Sequence, residues 1–154
     1  VLSVEQTTNM GGGAVWPLET VREVCAVARQ HGLACHMDGA RLMNAVVASG
    51  IAAKDYAAPF DSVWLDFSKG LGAPVGSVVV SSSEHIELAR RLRKRLGGGM
   101  RQAGILAAAG LYALEHHRPR LSEDHDKARR LAKGLAELPG MMPDLYLRDA
   151  RPCQ

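Results

Sequence analysis

His36-Met37-Asp38-Gly39-Ala40-Arg41 and Asp66-Phe67-Ser68-Lys69-Gly70-Leu71-Gly72-Ala73-Pro74-Val75-Gly76-Ser77 decide how this chain is read. In each, a short apolar run stops at charged residues and glycine. Residues 33–37 and 62–67 have the length and composition of buried strands, and 75–80, rich in valine, form a third after the turn at Gly70-Leu71-Gly72-Ala73-Pro74. Upstream, Pro17-Leu18-Glu19-Thr20 opens a helix with Val21, Val24, Val27 and Ala28 at helical spacing, and His31-Gly32 stops it. Residues 39–48 read as a second helix ending at Gly50. After the third strand, helices are expected over 84–96, 102–116 and 121–137, with Gly97-Gly98-Gly99 separating the first two. Helix and strand alternate, so the expected fold is α/β, a mainly parallel sheet flanked by helices. Ligands of such sheets bind beyond the carboxyl ends of the strands, which is where Asp38 and Lys69 fall.

The chain has 154 residues, 47% hydrophobic and 23% charged. This suits one globular domain with a real core and excludes wholesale disorder. The longest apolar run, 103–114, is far short of the roughly 20 residues that span a bilayer, and is expected to be a buried helix. Val1-Leu2-Ser3-Val4-Glu5 has no Met and no basic segment before an apolar stretch, so it reads neither as a signal peptide nor as a natural start. Cys25, Cys35 and Cys153 are odd in number and lack CxxC spacing, which argues against a disulfide framework or a cysteine zinc site and for a reduced, cytoplasmic setting. Net charge is +3, and residues 84–101 hold six Arg or Lys against two Glu. Leu88, Leu92 and Leu96 at i, i+4, i+8 are expected to form a core stripe, leaving the arginines between them to solvent. A nucleic-acid reading of this patch would bring steeply salt-dependent binding and is the lesser one; neither nucleic acid nor membrane is an expected partner.

His36 and Asp38 share one strand face. Taken alone, Asp38 would serve equally well as a cap for the following helix, and His36 with Asp38 lacks a third metal ligand, so no metal site is expected. A lysine in a glycine-rich turn is usually solvated. Burial changes this, because desolvation leaves a neutral amine able to attack a carbonyl. The turn is too short for a P-loop. Together, an acid at one strand end and a lysine at another suit pyridoxal phosphate: the amine bonds the aldehyde, and the carboxylate keeps the ring nitrogen protonated, making the ring an electron sink.

With these residues the chain resembles the threonine aldolases of the β-eliminating lyase group, pyridoxal-phosphate enzymes of the aspartate-aminotransferase fold, fold type I. The likeness rests on HMDGAR followed by Asn44-Ala45, on DFSKGLGAPVGS, on Gly97-Gly98-Gly99-Met100-Arg101-Gln102-Ala103-Gly104, on the helix around Leu106 to Leu111, and on Asp124-His125. It spans roughly 1–140. It implies that 1–138 are part of the large cofactor-binding domain, its N-terminal portion missing, and that 139–154 start a small C-terminal domain or form a divergent tail. Lys69 would be the Schiff-base lysine and Asp38 the partner of the ring nitrogen. Arg41 would lie by the ring oxygen and the substrate carboxylate, where a planar fork suits a carboxylate. Arg101 and Lys94 would reach the cofactor phosphate, Arg101 that of a neighbouring subunit in a homo-oligomer, a dimer or tetramer. His36 is given no role by the likeness, and a hydrogen bond to Asp38 rests only on their shared strand face; His116, His117 and His125 read as surface or packing residues. The implied reaction cleaves a β-hydroxy-α-amino acid, threonine or allo-threonine, to glycine and an aldehyde.

Two departures from the family pattern stand out. Within Glu5-Gln6-Thr7-Thr8-Asn9, a His usually stands where Thr8 does, near the substrate hydroxyl. Thr8 keeps the substrate-binding place but cannot accept a proton near neutral pH, so water or another group must. Family members are also longer, with an upstream ring-stacking His and phosphate loop and a downstream carboxylate-binding Arg, a role not given to Arg148. Elimination, racemisation or transamination on the same scaffold, or a non-catalytic fragment of an aldolase, are the alternative readings.

Overall fold

Pro17 and Gly32 bracket the first helix as their backbone preferences require, and the other boundaries follow the same punctuation. The computed structural model describes residues 1–141. In chain order these form β1 (Leu2–Glu5), α1 (Leu18–Gln30), β2 (Cys35–Gly39), α2 (Leu42–Ser49), α3 (Ala53–Ala57), β3 (Ser62–Asp66), β4 (Ser77–Ser81), α4 (Ser83–Arg95), α5 (Gly104–Tyr112), a π-helical turn (Ala113–His117), a 3-10 turn (Arg118–Arg120) and α6 (Leu121–Ala136). Cys153, Arg148 and the expected tail beyond residue 141 lie outside the described residues.

The four strands form one sheet in the order β1-β2-β3-β4. The β1–β2 and β2–β3 pairs are parallel and β3–β4 is antiparallel, so the sheet is mixed and mostly parallel. The antiparallel step follows from the short turn joining β3 to β4, since a parallel return needs a long crossover. β1 and α3 were not foreseen: β1 has four residues and α3 five, too few for periodicity to register.

Register sorts the side chains. Val4, Met37, Val63 and Val80 lie side by side on one face. There Met37 and Val63 pack with Leu42 and Ala45 of α2 and Tyr56 of α3, while Val21, Cys25 and Ala28 of α1 seal Cys35. Asp61 ties α1 to the sheet: its Oδ2 accepts from the Cys35 amide at 2.7 Å and its Oδ1 meets Arg29 at 3.3 Å. The Cys35 amide holds the Asp61 carboxyl below the usual carboxylate range against the opposing effect of burial, with Arg29 adding to the lowering. The other face carries Glu5, His36, Asp38, Ser62, Trp64 and Asp66, none of them fully buried.

Two burial expectations are corrected. Leu88, Leu92 and Leu96 are 53%, 42% and 85% exposed, so they form no core stripe. Within 103–114 only Gly110 and Ala113 are buried, while Ile105 and Leu111 face outward. Helical periodicity marks an apolar face without saying what covers it, and among the described residues nothing does.

Candidate functional site

The apolar alternation of β2 drives Cys35 and Met37 inward, which places His36 and Asp38 on the accessible face. Asp38 Oδ1 accepts a hydrogen bond from the Ala40 amide at 3.0 Å, a local turn rather than a cap on α2, whose first residue has no side-chain cap. The turn fixes the carboxylate at the carboxyl end of β2. His36 does not bond Asp38; its Nδ1 lies 2.7 Å from Ser62 Oγ on β3, its register neighbour.

Lys69 leaves β3 through the turn that follows Asp66. Phe67, Leu71 and Ala73 of that turn are buried against Ala113 and Leu121, so the polar members of the turn are left outside. Lys69 Nζ sits 5.3 Å from the centroid of the Trp64 ring, and Trp64 is the register neighbour of Asp38. Amine and carboxylate therefore stand on the same face, at the ends of adjacent parallel strands, each beside Trp64. The amine is not sequestered from water: Lys69 is 35% exposed and pairs with Asp66 Oδ2 at 2.8 Å. Burial alone would raise the Asp66 carboxyl, but hydrogen bonds from Lys69 and the Ser68 amide outweigh it and hold the group below the usual range. The lysine thus stands as the partly solvated turn residue that its glycine-rich surroundings suggest, held by an ion pair.

Arg41 completes the rim. Its backbone amide donates to the Gln6 carbonyl at 3.1 Å. Its guanidinium donates to Asn9 Oδ1 at 3.3 Å and lies 3.9 Å from Glu5 Oε1. Glu5 is in turn the register neighbour of Asp38. Thr8 stands in the same loop, whose base is fixed by buried Gln6 bonding both the carbonyl and the amide of Trp16. The structure thus gathers Asp38, Arg41, Lys69 and the Thr8 loop at one edge of the sheet. Arg101 and Lys94 are exposed near the Gly97-Gly98-Gly99 break, with no hydrogen bond or ion pair joining either to that group. No group of three or more His, Cys, Asp or Glu side chains among the described residues could hold a metal, and no described helix is long and apolar enough to cross a membrane.

The donor set fits the ring and aldehyde of pyridoxal phosphate: a fixed carboxylate and a primary amine on one face, with a guanidinium beside them for a carboxylate ligand. Two of the histidines read as surface or packing residues take the packing role. His117 Nδ1 lies 2.6 Å from the Leu71 carbonyl, and His125 Nε2 lies 3.1 Å from Asn44 Nδ2. Both are half-buried rather than at the surface. Their partners are 46 and 81 residues away in the chain, beyond any local signal; only the fixed Asp124-His125 pair hinted at one of them.

A beta-eliminating lyase family model matches residues 1–148. The chain is 46% identical over 141 residues to low-specificity L-threonine aldolase 1 of Arabidopsis thaliana, covering 92% of this chain and 39% of that protein. It is 50% identical over 137 residues to the low specificity L-threonine aldolase of Escherichia coli K12, covering 89% and 40%. The chain thus spans about two fifths of the length of these curated relatives. Among solved structures, the Leishmania major threonine aldolase superposes with a TM-score of 0.70 at 21% identity, over 88% of this chain and 40% of that one, a likeness of fold.

Proposed function

The chain belongs to the beta-eliminating lyase family, and from that premise we propose that residues 1–138 are part of the large cofactor-binding domain of a pyridoxal-phosphate-dependent threonine aldolase. Its substrate is a β-hydroxy-α-amino acid, threonine or allo-threonine, and its products are glycine and an aldehyde. The observation that carries this reading is the placement of Asp38 and Lys69 on one sheet face at the ends of neighbouring parallel strands.

Bound pyridoxal phosphate supplies an electron sink for the pair released as the Cα–Cβ bond breaks. Asp38 keeps a negative charge at the ring-nitrogen end and holds a proton there. Lys69 Nζ, now paired with Asp66, would hold the cofactor by its aldehyde. Arg41 turns from Glu5 and Asn9 to the substrate carboxylate and orients the amino acid. Thr8 hydrogen-bonds the substrate hydroxyl, while water carries its proton. Arg101 and Lys94 bind the phosphate, Arg101 from a neighbouring subunit of a homo-oligomer; the exposed Leu88, Leu92 and Leu96 are in keeping with further protein beside α4. Cys25 and Cys35, buried and unpaired, suit a reducing cytoplasm.

In the whole enzyme, K69A is expected to abolish the visible absorption band of bound cofactor and to lower threonine cleavage by at least about 10³-fold. A band that survives unchanged overturns the assignment. Thr8, which is no base, favours one second reading, an eliminating enzyme of the same family. Glycine plus acetaldehyde from threonine supports the aldolase; a 2-oxo acid plus ammonia supports the alternative.

A further inference from the structure

Behind the turn that carries Lys69 lies a cluster with no part in the mechanism above. The π-helical turn Ala113–His117 is followed at once by a 3-10 turn and then α6, an irregular stretch of the kind often found at functional sites. It brings His117 under the lysine turn. Because a carbonyl oxygen only accepts, the His117 ring nitrogen at 2.6 Å must donate its N–H to Leu71. The next residue, Gly72, has φ +68°, and a Cβ there would sit 3.3 Å from the same ring nitrogen. Gly72 N donates to the Lys69 carbonyl at 2.8 Å and Ala73 N to the Phe67 carbonyl at 2.9 Å, closing the turn on itself. On the other flank Asn44 Nδ2 donates to His125 Nε2 at 3.1 Å, and the Asn44 amide fills the space beside Gly70, where a Cβ would come within 3.0 Å of Asn44 Oδ1 and 3.1 Å of Leu121. Residues from α2, the π-helical turn and α6 thus converge on the three residues that follow Lys69.

We propose that His117, with Asn44 and His125, are positioning residues that clamp the Lys69 turn from the side of α2 and α6 and so aim the Lys69 amine at the open face beside Trp64 and Asp38. The significance of that aim rests on Lys69 being the cofactor lysine; the clamp itself does not. His117 acts through one hydrogen bond to the Leu71 carbonyl, and the Asn44–His125 pair by wedging Gly70.

The test uses the whole protein, first without cofactor. His117→Leu keeps the bulk of the side chain and removes the donor; His117→Asn returns an N–H near the position of Nδ1. Hydrogen exchange at the Gly72 and Ala73 amides is expected to quicken about fivefold in H117L, the equivalent of one lost hydrogen bond, and to return to within about twofold in H117N. Acylation of Lys69 by acetic anhydride, read by mass spectrometry against Lys54 as internal standard, should change in H117L and revert in H117N. In the cofactor-loaded protein the pH profile of the visible band should shift in H117L and revert in H117N. Unchanged exchange and acylation in H117L overturn the clamp, as does faster exchange with Lys69 acylation unaltered, since His117 would then be structural only. Should H117L not fold, Asn44→Ala is read the same way, with the same result expected and the same one overturning. A visible band that persists in K69A would sink the cofactor assignment while leaving the exchange result standing.

Discussion

On one face of the sheet, Val4, Met37 and Val63 stand in register and are buried, Met37 and Val63 against α2 and α3; on the other, one residue along each strand, Glu5, Asp38 and Trp64 stand in register and stay accessible. The same backbone holds both rows. A period of two lets three short strands divide their residues between stability and chemistry, and Lys69 joins the second row because the hydrophobic members of its turn belong to the first. The face that carries the core is blind to ligands, and the face that carries the carboxylate and the amine contributes little burial.

The sharpest way to break this contrast is to cut into each row in turn. Met37→Ala, on the sealed face, is expected to lower unfolding stability by about 2–5 kcal/mol, whereas His36→Ala on the open face should cost no more than about 1 kcal/mol, the worth of its Ser62 hydrogen bond. Chemical denaturation of both variants reads the difference, and equal losses would erase the distinction between the faces. Asp38→Asn should leave stability near wild type yet reduce cleavage by the whole enzyme about 10²–10³-fold, through lost charge stabilisation at the ring nitrogen; a large stability loss would move Asp38 into the structural row.

Thiol chemistry sharpens the contrast from the sealed side. Burial, then hydrogen bonding with Cys35, pushes the Cys25 thiol up to about 11, so native Cys25 should react with iodoacetamide at pH 8 about a hundredfold more slowly than an ordinary cysteine. Labelling followed by peptide mapping checks this, and unfolding should abolish the protection. The smallest effect belongs to the Lys69–Asp66 pair. The folded Asp66 carboxyl is depressed below its ordinary 3.8, so its contribution is in place above that value and is lost as pH falls through the lower folded one. Lys69→Met should therefore cost under about 1 kcal/mol at pH 7, a difference that closes in thermal melts below pH 4.

Much of this division was legible in the sequence. Pro17 and Gly32 fixed α1, Gly50 ended α2, and the apolar runs into Asp38 and toward Lys69 placed both groups at strand ends. The strand at β4 was legible, but its antiparallel direction was not read from the sequence. What escaped was non-local: α3 and β1 are too short for a period to repeat, Asp66 was read as a strand residue rather than the counter-ion of Lys69, and His117 and His125 find their partners only once α6 folds against α2. Leu88, Leu92 and Leu96 show the same limit, since spacing defines a stripe and leaves its neighbour unnamed.

β4 carries a final consequence. Its sequence is Ser-Val-Val-Val-Ser, uncharged and β-branched at the centre, and among the described residues only one side of its backbone is paired. An edge of that composition is a template for lateral zipping between molecules. The strand that follows the lysine turn is thus also a seam open to clumping, and the neighbour that occupies it governs whether the protein stays dispersed.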